Sequence, residues 1–281
     1  MGSAEQQRVA ILTGAATGMG HGVAVDLSRK GWKVAILDYN EQQGKAAAAE
    51  INADFYLVDV RSWKQQYEAF AAVIKEYGRV DFVFGNAGRS DTVDHFDLEN
   101  TTIDPTKPPN LEVLDINLYG ASYTTILALH AFHRNPPAVK DCLLVLTSSG
   151  AGLYPAGVQP LYGAAKHGII GLARSVAWRY KNSRIRSCAL VPGLVPTPIM
   201  PQSIIERQDK DTITPVSHIV TAVNDMIDSR RNGATCEASV NQLFYRDPPE
   251  YPDAAQRKVM EEVCDSMAED FKRLRESTAA K

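Results

Sequence analysis

Thr13-Gly14-Ala15-Ala16-Thr17-Gly18-Met19-Gly20 follows an aliphatic run, Arg8 to Leu12, and leads into a helix-like stretch from about Gly20 to Lys30. Glycines let a backbone turn tightly and approach a pyrophosphate closely, and the helix N-terminus that follows offers unpaired N–H groups to the phosphates. The spacing is T-G-x-x-x-G-x-G. A strand before and a helix after supply the context that a dinucleotide loop requires. Gly14, Thr17, Gly18, Met19 and Gly20 are therefore candidate cofactor-binding positions.

A second apolar run, Lys33 to Leu37, ends at Asp38, eighteen residues beyond Gly20. A carboxylate there can accept hydrogen bonds from the adenosine ribose and would repel a 2′-phosphate. Tyr39 and Asn40 follow and offer no cation for that phosphate. This selects NAD over NADP. An aspartate here can also be a helix cap or a solvated turn residue; the neighbouring glycine loop favours the ribose contact.

Outward from this point, short apolar runs alternate with amphipathic ones. Gln42 to Ile51 reads as helix, Phe55 to Val58 as strand and Trp63 to Tyr77 as helix. Val80 to Phe84 is a strand, Leu111 to His133 contains a long helix, and Cys142 to Thr147 is a strand. Tyr162 to Tyr180 reads as helix and Ile185 to Val191 as strand. This alternation predicts the α/β class: a single-domain Rossmann fold, with a doubly wound parallel sheet flanked by helices on both faces. The expected layout is one domain over 1–281, with a core at 7–246, a substrate lid at 196–215 and a C-terminal extension at 247–281. The lid belongs to a proline-rich stretch, Pro192 to Pro215, that directly follows a strand's carboxyl end, where open α/β sheets bind ligands. A second long loop, Arg89 to Asn110, is polar.

Bulk properties exclude several classes. With 281 residues, 44% hydrophobic and 22% charged, the chain is ordinary globular material. A net charge of −3 gives no reason to expect a nucleic acid or an anionic membrane as partner. No apolar run is long enough to span a bilayer, and Met1 to Gln7 lacks the apolar stretch of a signal peptide. Cys142, Cys188, Cys236 and Cys264 are scattered without a C-x-x-C pair, which fits a reducing, cytoplasmic setting. The six histidines show no metal-ligand spacing, so no metal is expected.

Tyr162-Gly163-Ala164-Ala165-Lys166 opens a helix, and positions i and i+4 share a face. The phenol and the ammonium can then meet over one ligand. An unperturbed tyrosine ionises near pH ~10, too high for a base at neutral pH, and a nearby cation favours the phenolate. Ser148 and Ser149 follow the fifth strand at its carboxyl end, Ser149 thirteen residues before Tyr162. A hydroxyl there can hold a substrate oxygen as its charge changes. Asn117 is a polar residue in an apolar helical segment, where such an amide usually has a buried partner.

The set Thr13–Gly20, Asn86-Ala87-Gly88, Asn117, Ser149, Tyr162/Lys166 and Pro192-Gly193 resembles the short-chain dehydrogenase/reductase family, in the family's order over nearly the whole chain. The resemblance implies that Tyr162 is the acid/base and that Ser149 orients the substrate oxygen. It implies that Lys166 binds the nicotinamide ribose and lowers the ionisation point of Tyr162, and that Asn117 holds a water of a proton relay. Asp59 and Val60 match the segment contacting adenine. Pro192, Gly193, Val195 and Thr197 match the segment around the nicotinamide, and Asn86 belongs to the motif that supports the central sheet. Gly85 departs from the family pattern, which often has a second Asn there. Asp38 and the region Phe244–Pro252 look most like NAD-preferring members, including 15-hydroxyprostaglandin dehydrogenase and filamentous-fungal relatives.

In this family the helix of Tyr162 and the helix of Asn117 build a dimer interface, which implies a homodimer or homotetramer. Ile169, Leu172, Ala173 and Val176 form a wide apolar stripe consistent with burial on the sheet and on a second helix. Arg89–Thr92, Gly150–Pro155 and Pro198–Asp211 are the expected pocket walls. Leu153, Tyr154, Ile199, Met200 and Ile204 point to an apolar, bulky small-molecule substrate such as a steroid, polyketide or fatty-acid derivative, in keeping with secondary metabolism. The leading expectation is NAD-dependent oxidation of a secondary alcohol. The alternatives are a ketone reductase or a non-redox rearrangement on the same scaffold, and an NAD-binding regulator without turnover. The intact Ser149, Tyr162 and Lys166 weigh against the regulator.

Overall fold

Val9 and Ile11 of β1 (Val9–Thr13) pack into one core, and Ala10 and Leu12 into another, as the two-residue period of a strand dictates when both faces are covered. The first core holds Phe70, Val73, Phe132 and Ile169; the second holds Val23, Leu27, Ile219 and Met226. A computed structural model describes residues 7–99, 104, 106–200 and 202–279 of the chain.

The order after β1 is α1 (Gly18–Arg29), β2 (Lys33–Asp38), α2 (Glu41–Ile51), β3 (Asp54–Leu57), α3 (Trp63–Tyr77) and β4 (Phe82–Gly85). A helical run follows: α4 (Glu112–Leu114), a π-helical segment (Asp115–Gly120) and α5 (Ala121–Arg134). Then come β5 (Cys142–Thr147), a 3₁₀ turn (Gly150–Gly152), α6 (Pro160–Arg179) and β6 (Ile185–Pro192). α7 (Gln202–Ile205), a second 3₁₀ turn (Lys210–Thr212), α8 (Val216–Asp228), β7 (Thr235–Ser239), β8 (Gln242–Arg246) and α9 (Ala254–Ala279) complete the chain.

The eight strands among the described residues form one sheet in the order β3-β2-β1-β4-β5-β6-β7-β8, parallel except for the antiparallel β7–β8 hairpin. The expected doubly wound Rossmann fold is present. The strand order reverses direction between β1 and β4, and such switch points open a crevice at the carboxyl edge of the sheet. Because β1 to β6 run parallel, Gly14, Asp38, Asp59, Asn86, Ser149 and Gly193, which end or follow them, all gather at that one edge.

Two details differ from the sequence expectation. The single long helix over 111–133 contains the π-helical segment, which re-registers the backbone around Asn117. The β7–β8 hairpin and α8 go unpredicted. TCEAS and QLFYR are short and mixed in polarity, and they form strands because β6 offers a free edge.

The chain divides into two compact units, Met1–Arg246 and Asp247–Lys281, and the second consists mainly of the 26-residue helix α9. Among the described residues, no helix is long and apolar enough to cross a membrane.

Candidate active site

The glycine loop is held from three sides. Gly14 has φ +62°, and a Cβ there would lie 2.7 Å from the Ala87 Cα. Its N–H donates to the Leu37 carbonyl at 2.8 Å. Asn86 Nδ2 donates to the Gly14 carbonyl at 2.9 Å, and Thr13 Oγ1 accepts from the Asn86 and Ala87 amides at 3.1 and 3.2 Å. Gly18 has φ +58°, and a Cβ there would lie 3.1 Å from Thr197 Cγ2. Thr17 caps α1 in an extended conformation without a side-chain bond, so the first-turn amides at Gly18, Met19 and Gly20 have no capping oxygen. A pyrophosphate suits such a place: open amides, the positive end of a helix dipole, and glycines where a side chain would collide.

Asp38 is buried at the end of β2. One oxygen accepts from the Ala16 amide at 3.0 Å and the other from the Asn40 amide at 2.9 Å. An ionised carboxylate has about four acceptor positions, so about two remain for ribose hydroxyls. The structural and the cofactor-binding readings of Asp38 are thus compatible. The donor set fits a dinucleotide.

Asp59 and Val60 follow β3. Asp59 is bound by Arg61, whose Nε donates at 2.9 Å, and that hydrogen bond holds the carboxyl below its ordinary ionisation point. Arg61 also donates to Glu112 at 2.7 Å, and Glu112 pairs with Arg89. Val60 packs against the π-helical segment, where a Cβ on Gly120 would lie 2.8 Å from Val60 Cγ2.

Asn117, 1% exposed, uses its amide on the backbone of one residue: Nδ2 donates to the Arg89 carbonyl at 2.7 Å, and Oδ1 accepts from the Arg89 amide at 2.9 Å. One N–H and one lone pair of the amide remain. Gly88 makes this convergence possible, because a Cβ there would sit 2.8 Å from Asn117 Oδ1 and 3.3 Å from Lys166 Nζ.

The two serines after β5 divide the work. Ser148 Oγ donates to the Lys166 carbonyl at 2.7 Å and ties α6 to the sheet. Ser149 caps the short 3₁₀ turn, accepting from the Ala151 amide at 3.3 Å, and its hydroxyl is close enough to the Tyr162 phenol to favour ionisation of that phenol. Lys166 is 3% exposed; its Nζ donates to the Thr147 carbonyl at 2.9 Å and lies 5.5 Å from the centre of the Tyr162 ring. Pro160 starts α6 at a position that needs no N–H, which sets Tyr162 on the first turn and Lys166 one turn later.

Burial moves both groups. It pulls the Lys166 ammonium down to about 8 and pushes the Tyr162 phenol above its usual value. The charge of Asp91 raises the phenol further, while the Ser149 hydrogen bond lowers it. In the protein alone the phenol moves up rather than down: desolvation is the largest cause, and Lys166 contributes no lowering that offsets it.

Pro192 ends β6. The Gly193 amide donates to the Ala238 carbonyl at 2.8 Å, and a Cβ at Gly193 would lie 2.6 Å from Thr214 Oγ1. Val195 is buried in the second core, and Thr197 lies against the glycine loop. A bridge between Leu194 and Ile213 closes the segment between them into an excursion from the sheet edge. Of the five expected wall residues, Leu153 packs against the first core, and the Tyr154 hydroxyl is bonded to Glu237 at 3.0 Å. Ile199 and Ile204 are exposed. Sequence reasoning placed Asp91 only as part of the Arg89–Thr92 wall and passed over Glu112 and Gln159; their partners lie far away in the chain, and no local spacing signals them. Among the described residues, no group of three or more His, Cys, Asp or Glu could hold a metal ion.

A family model described as short chain dehydrogenase matches residues 8–208. A short-chain dehydrogenase/reductase, prx7, from Penicillium rubens is 30% identical over 268 residues, covering 86% of this chain and 95% of its own. The human 15-hydroxyprostaglandin dehydrogenase (NAD+) is 33% identical over 211 residues, covering 72% of this chain and 73% of its own. The crystal structure of a 3-ketoacyl-(acyl-carrier-protein) reductase from Brucella melitensis, complexed with NADH, superposes with a TM-score of 0.73 at 21% identity, covering 83% of this chain and 96% of the other.

Proposed function

The chain belongs to the short chain dehydrogenase family, and on that premise we propose that it is an NAD-dependent oxidoreductase acting on a secondary alcohol or its ketone. The observation that carries this reading is the meeting of Ser149, Tyr162 and Lys166 at the carboxyl edge of the sheet, beside the glycine loop.

In this reading Gly14, Thr17, Gly18, Met19 and Gly20 hold the pyrophosphate, Asp38 the adenosine ribose, and Asp59 and Val60 the adenine. Asn86, Ala87 and Gly88 shape the crevice floor, and Pro192, Gly193, Val195 and Thr197 flank the nicotinamide. The nicotinamide supplies the hydride acceptor or donor. The Tyr162 Oη gives a proton to the carbonyl oxygen or takes it from the alcohol. The Ser149 hydroxyl holds that oxygen against the phenol, and the Lys166 ammonium holds the ribose beside it. Asn117 fixes Arg89, keeps Gly88 in line and has capacity left for one relay water. The apolar residues of 196–215, Ile199 and Ile204 among them, form a lid over a bulky apolar substrate.

NAD is favoured over NADP because a carboxylate held at the end of β2 would repel a 2′-phosphate, and Tyr39 and Asn40 after it offer no cation. Purified protein should reduce NAD in the presence of secondary alcohols with kcat/KM at least ~10²-fold above that with NADP. Asp38→Asn should cut the preference at least ~10-fold, chiefly through KM. A wild-type preference for NADP would reject the assignment.

We also propose a homodimer or homotetramer. Tyr119, Ile126 and Trp178 are exposed at 57%, 43% and 43% on the helical run through Asn117 and on α6, the two elements the family resemblance assigns to the interface. Gel filtration with light scattering should give at least twice the chain mass; a monomer at micromolar concentration would reject this.

A further inference from the structure

The helix that carries Tyr162 does not cap itself. Gln159 occupies the cap position of α6, but its side chain makes no cap bond; its amide turns away to Ser90 Oγ. Pro160 has no N–H to give. Tyr162 supplies the third amide of the helix, and this amide donates to Asp91 Oδ2 at 3.1 Å. The cap therefore comes from a loop 71 residues earlier in the chain, where Ser90 and Asp91 dock side by side on the start of α6. A carboxylate at the positive end of a 20-residue helix is well placed electrostatically.

Held 3.1 Å from the backbone amide of Tyr162, the same carboxylate also places a negative charge that acts on the phenol of that residue. The other groups facing the phenol are the Ser149 hydroxyl from the turn after β5 and the Lys166 ammonium from α6 itself. Arg89 of the same loop is paired with Glu112 of α4; the loop also carries Asp94, His95, Asp97, Glu99, Asp104 and Lys107, none of which acts on the phenol as Asp91 does. Thus one negative charge opposes ionisation of Tyr162, while burial disfavours the charged form of the lysine on its own helix.

We propose that Asp91 is a positioning residue of this site: it fixes the start of α6 and sets its negative charge against the phenolate, biasing Tyr162 towards giving a proton to a carbonyl at neutral pH. The inference deepens the oxidoreductase reading and rests on it for its catalytic meaning. Asp91 would then do two things with one carboxylate, and a conservative substitution separates them. Asn keeps an acceptor oxygen for the Tyr162 amide but carries no charge.

The test is a titration and a rate profile. Protein labelled with ¹³Cζ-tyrosine is titrated by NMR, and the Tyr162 signal is assigned by its loss in Tyr162→Phe. Asp91→Asn should move the Tyr162 midpoint down by on the order of one pH unit without changing the fold. In alcohol oxidation with NAD, the rise of kcat/KM with pH should move down by the same amount, giving about tenfold faster oxidation below the wild-type midpoint and an unchanged plateau above it. Asp91→Ala should show the same shift together with a lower Tm, because the cap is lost. An unmoved Tyr162 midpoint in Asp91→Asn overturns the proposal. A moved midpoint in a protein that turns over no alcohol or ketone upholds the electrostatic role of Asp91 and rejects the oxidoreductase reading instead.

Discussion

Tyr162→Phe should lower kcat by on the order of 10³-fold while changing dinucleotide affinity less than about threefold. General acid–base groups contribute roughly 10²–10⁴-fold. The substitution removes one oxygen. The ring, 5.5 Å from the Lys166 ammonium, keeps its packing, and neither the glycine loop nor Asp38 touches the phenol in any described contact. Steady-state kinetics with NAD and a competent alcohol, paired with calorimetric titration of NAD, separate the two effects. Near-normal kcat in this variant would remove Tyr162 from the chemistry; loss of NAD affinity in parallel with kcat would show that the residue shapes the crevice rather than moving a proton.

Lys166→Met should abolish turnover and yet make the protein more stable at neutral pH. Burial brings the Lys166 ammonium from 10.5 to about 8, so its charged form is disfavoured in the folded state by about 3 kcal/mol. Below the folded value the group is protonated whether the chain is folded or not, and the whole penalty falls on the folded state. As pH rises from about 8 towards the unfolded value of 10.5, the penalty is relieved. Met has a similar length and no charge; it gives up the bond to the Thr147 carbonyl, worth about 1 kcal/mol. The net gain should be about 2 kcal/mol at pH 7, on the order of 5 °C in Tm, shrinking above pH ~10. Thermal unfolding of both proteins across this range tests it. A variant less stable than wild type at pH 7, or a difference that does not shrink with pH, would show that the buried ammonium is not a stability cost. The gain in stability with loss of activity follows from a functional group kept where folding alone would not place it.

The parts of the candidate site whose geometry was legible in the sequence are those in which chemistry and geometry are local. The glycine loop is a strand, a turn and a helix within a dozen residues, and Tyr162 and Lys166 are one helical turn apart. The doubly wound sheet follows from strand–helix alternation alone. What escaped the reading depends on contacts across long stretches of chain or on burial. Asp91 meets Tyr162, and Arg61 meets Glu112, only after the sheet has assembled. The π-helical turn around Asn117 is a matter of hydrogen-bond register, to which hydrophobic periodicity is blind. The direction in which the phenol moves is set by how much water the fold excludes, and helical spacing by itself speaks only of the nearby ammonium. Gly85 looked like a departure from a family pattern. The fold gives it a cause: a Cβ there would lie 2.7 Å from Leu146 Cδ2 on β5.

β1 lies in the middle of the sheet, but one of its two neighbours, β4, begins at Phe82. During synthesis from the amino terminus, β1 therefore emerges with β2 and β3 and presents an unpaired backbone edge on the side of β4, which begins some seventy residues beyond the end of β1. The Asn86 clamp on the glycine loop arrives only with that later strand. A nascent chain stalled after α3 would carry the nucleotide loop without its fastening and an open strand ready to pair with another chain. The same long-range closure that builds the crevice makes its half-made form a hazard on the ribosome.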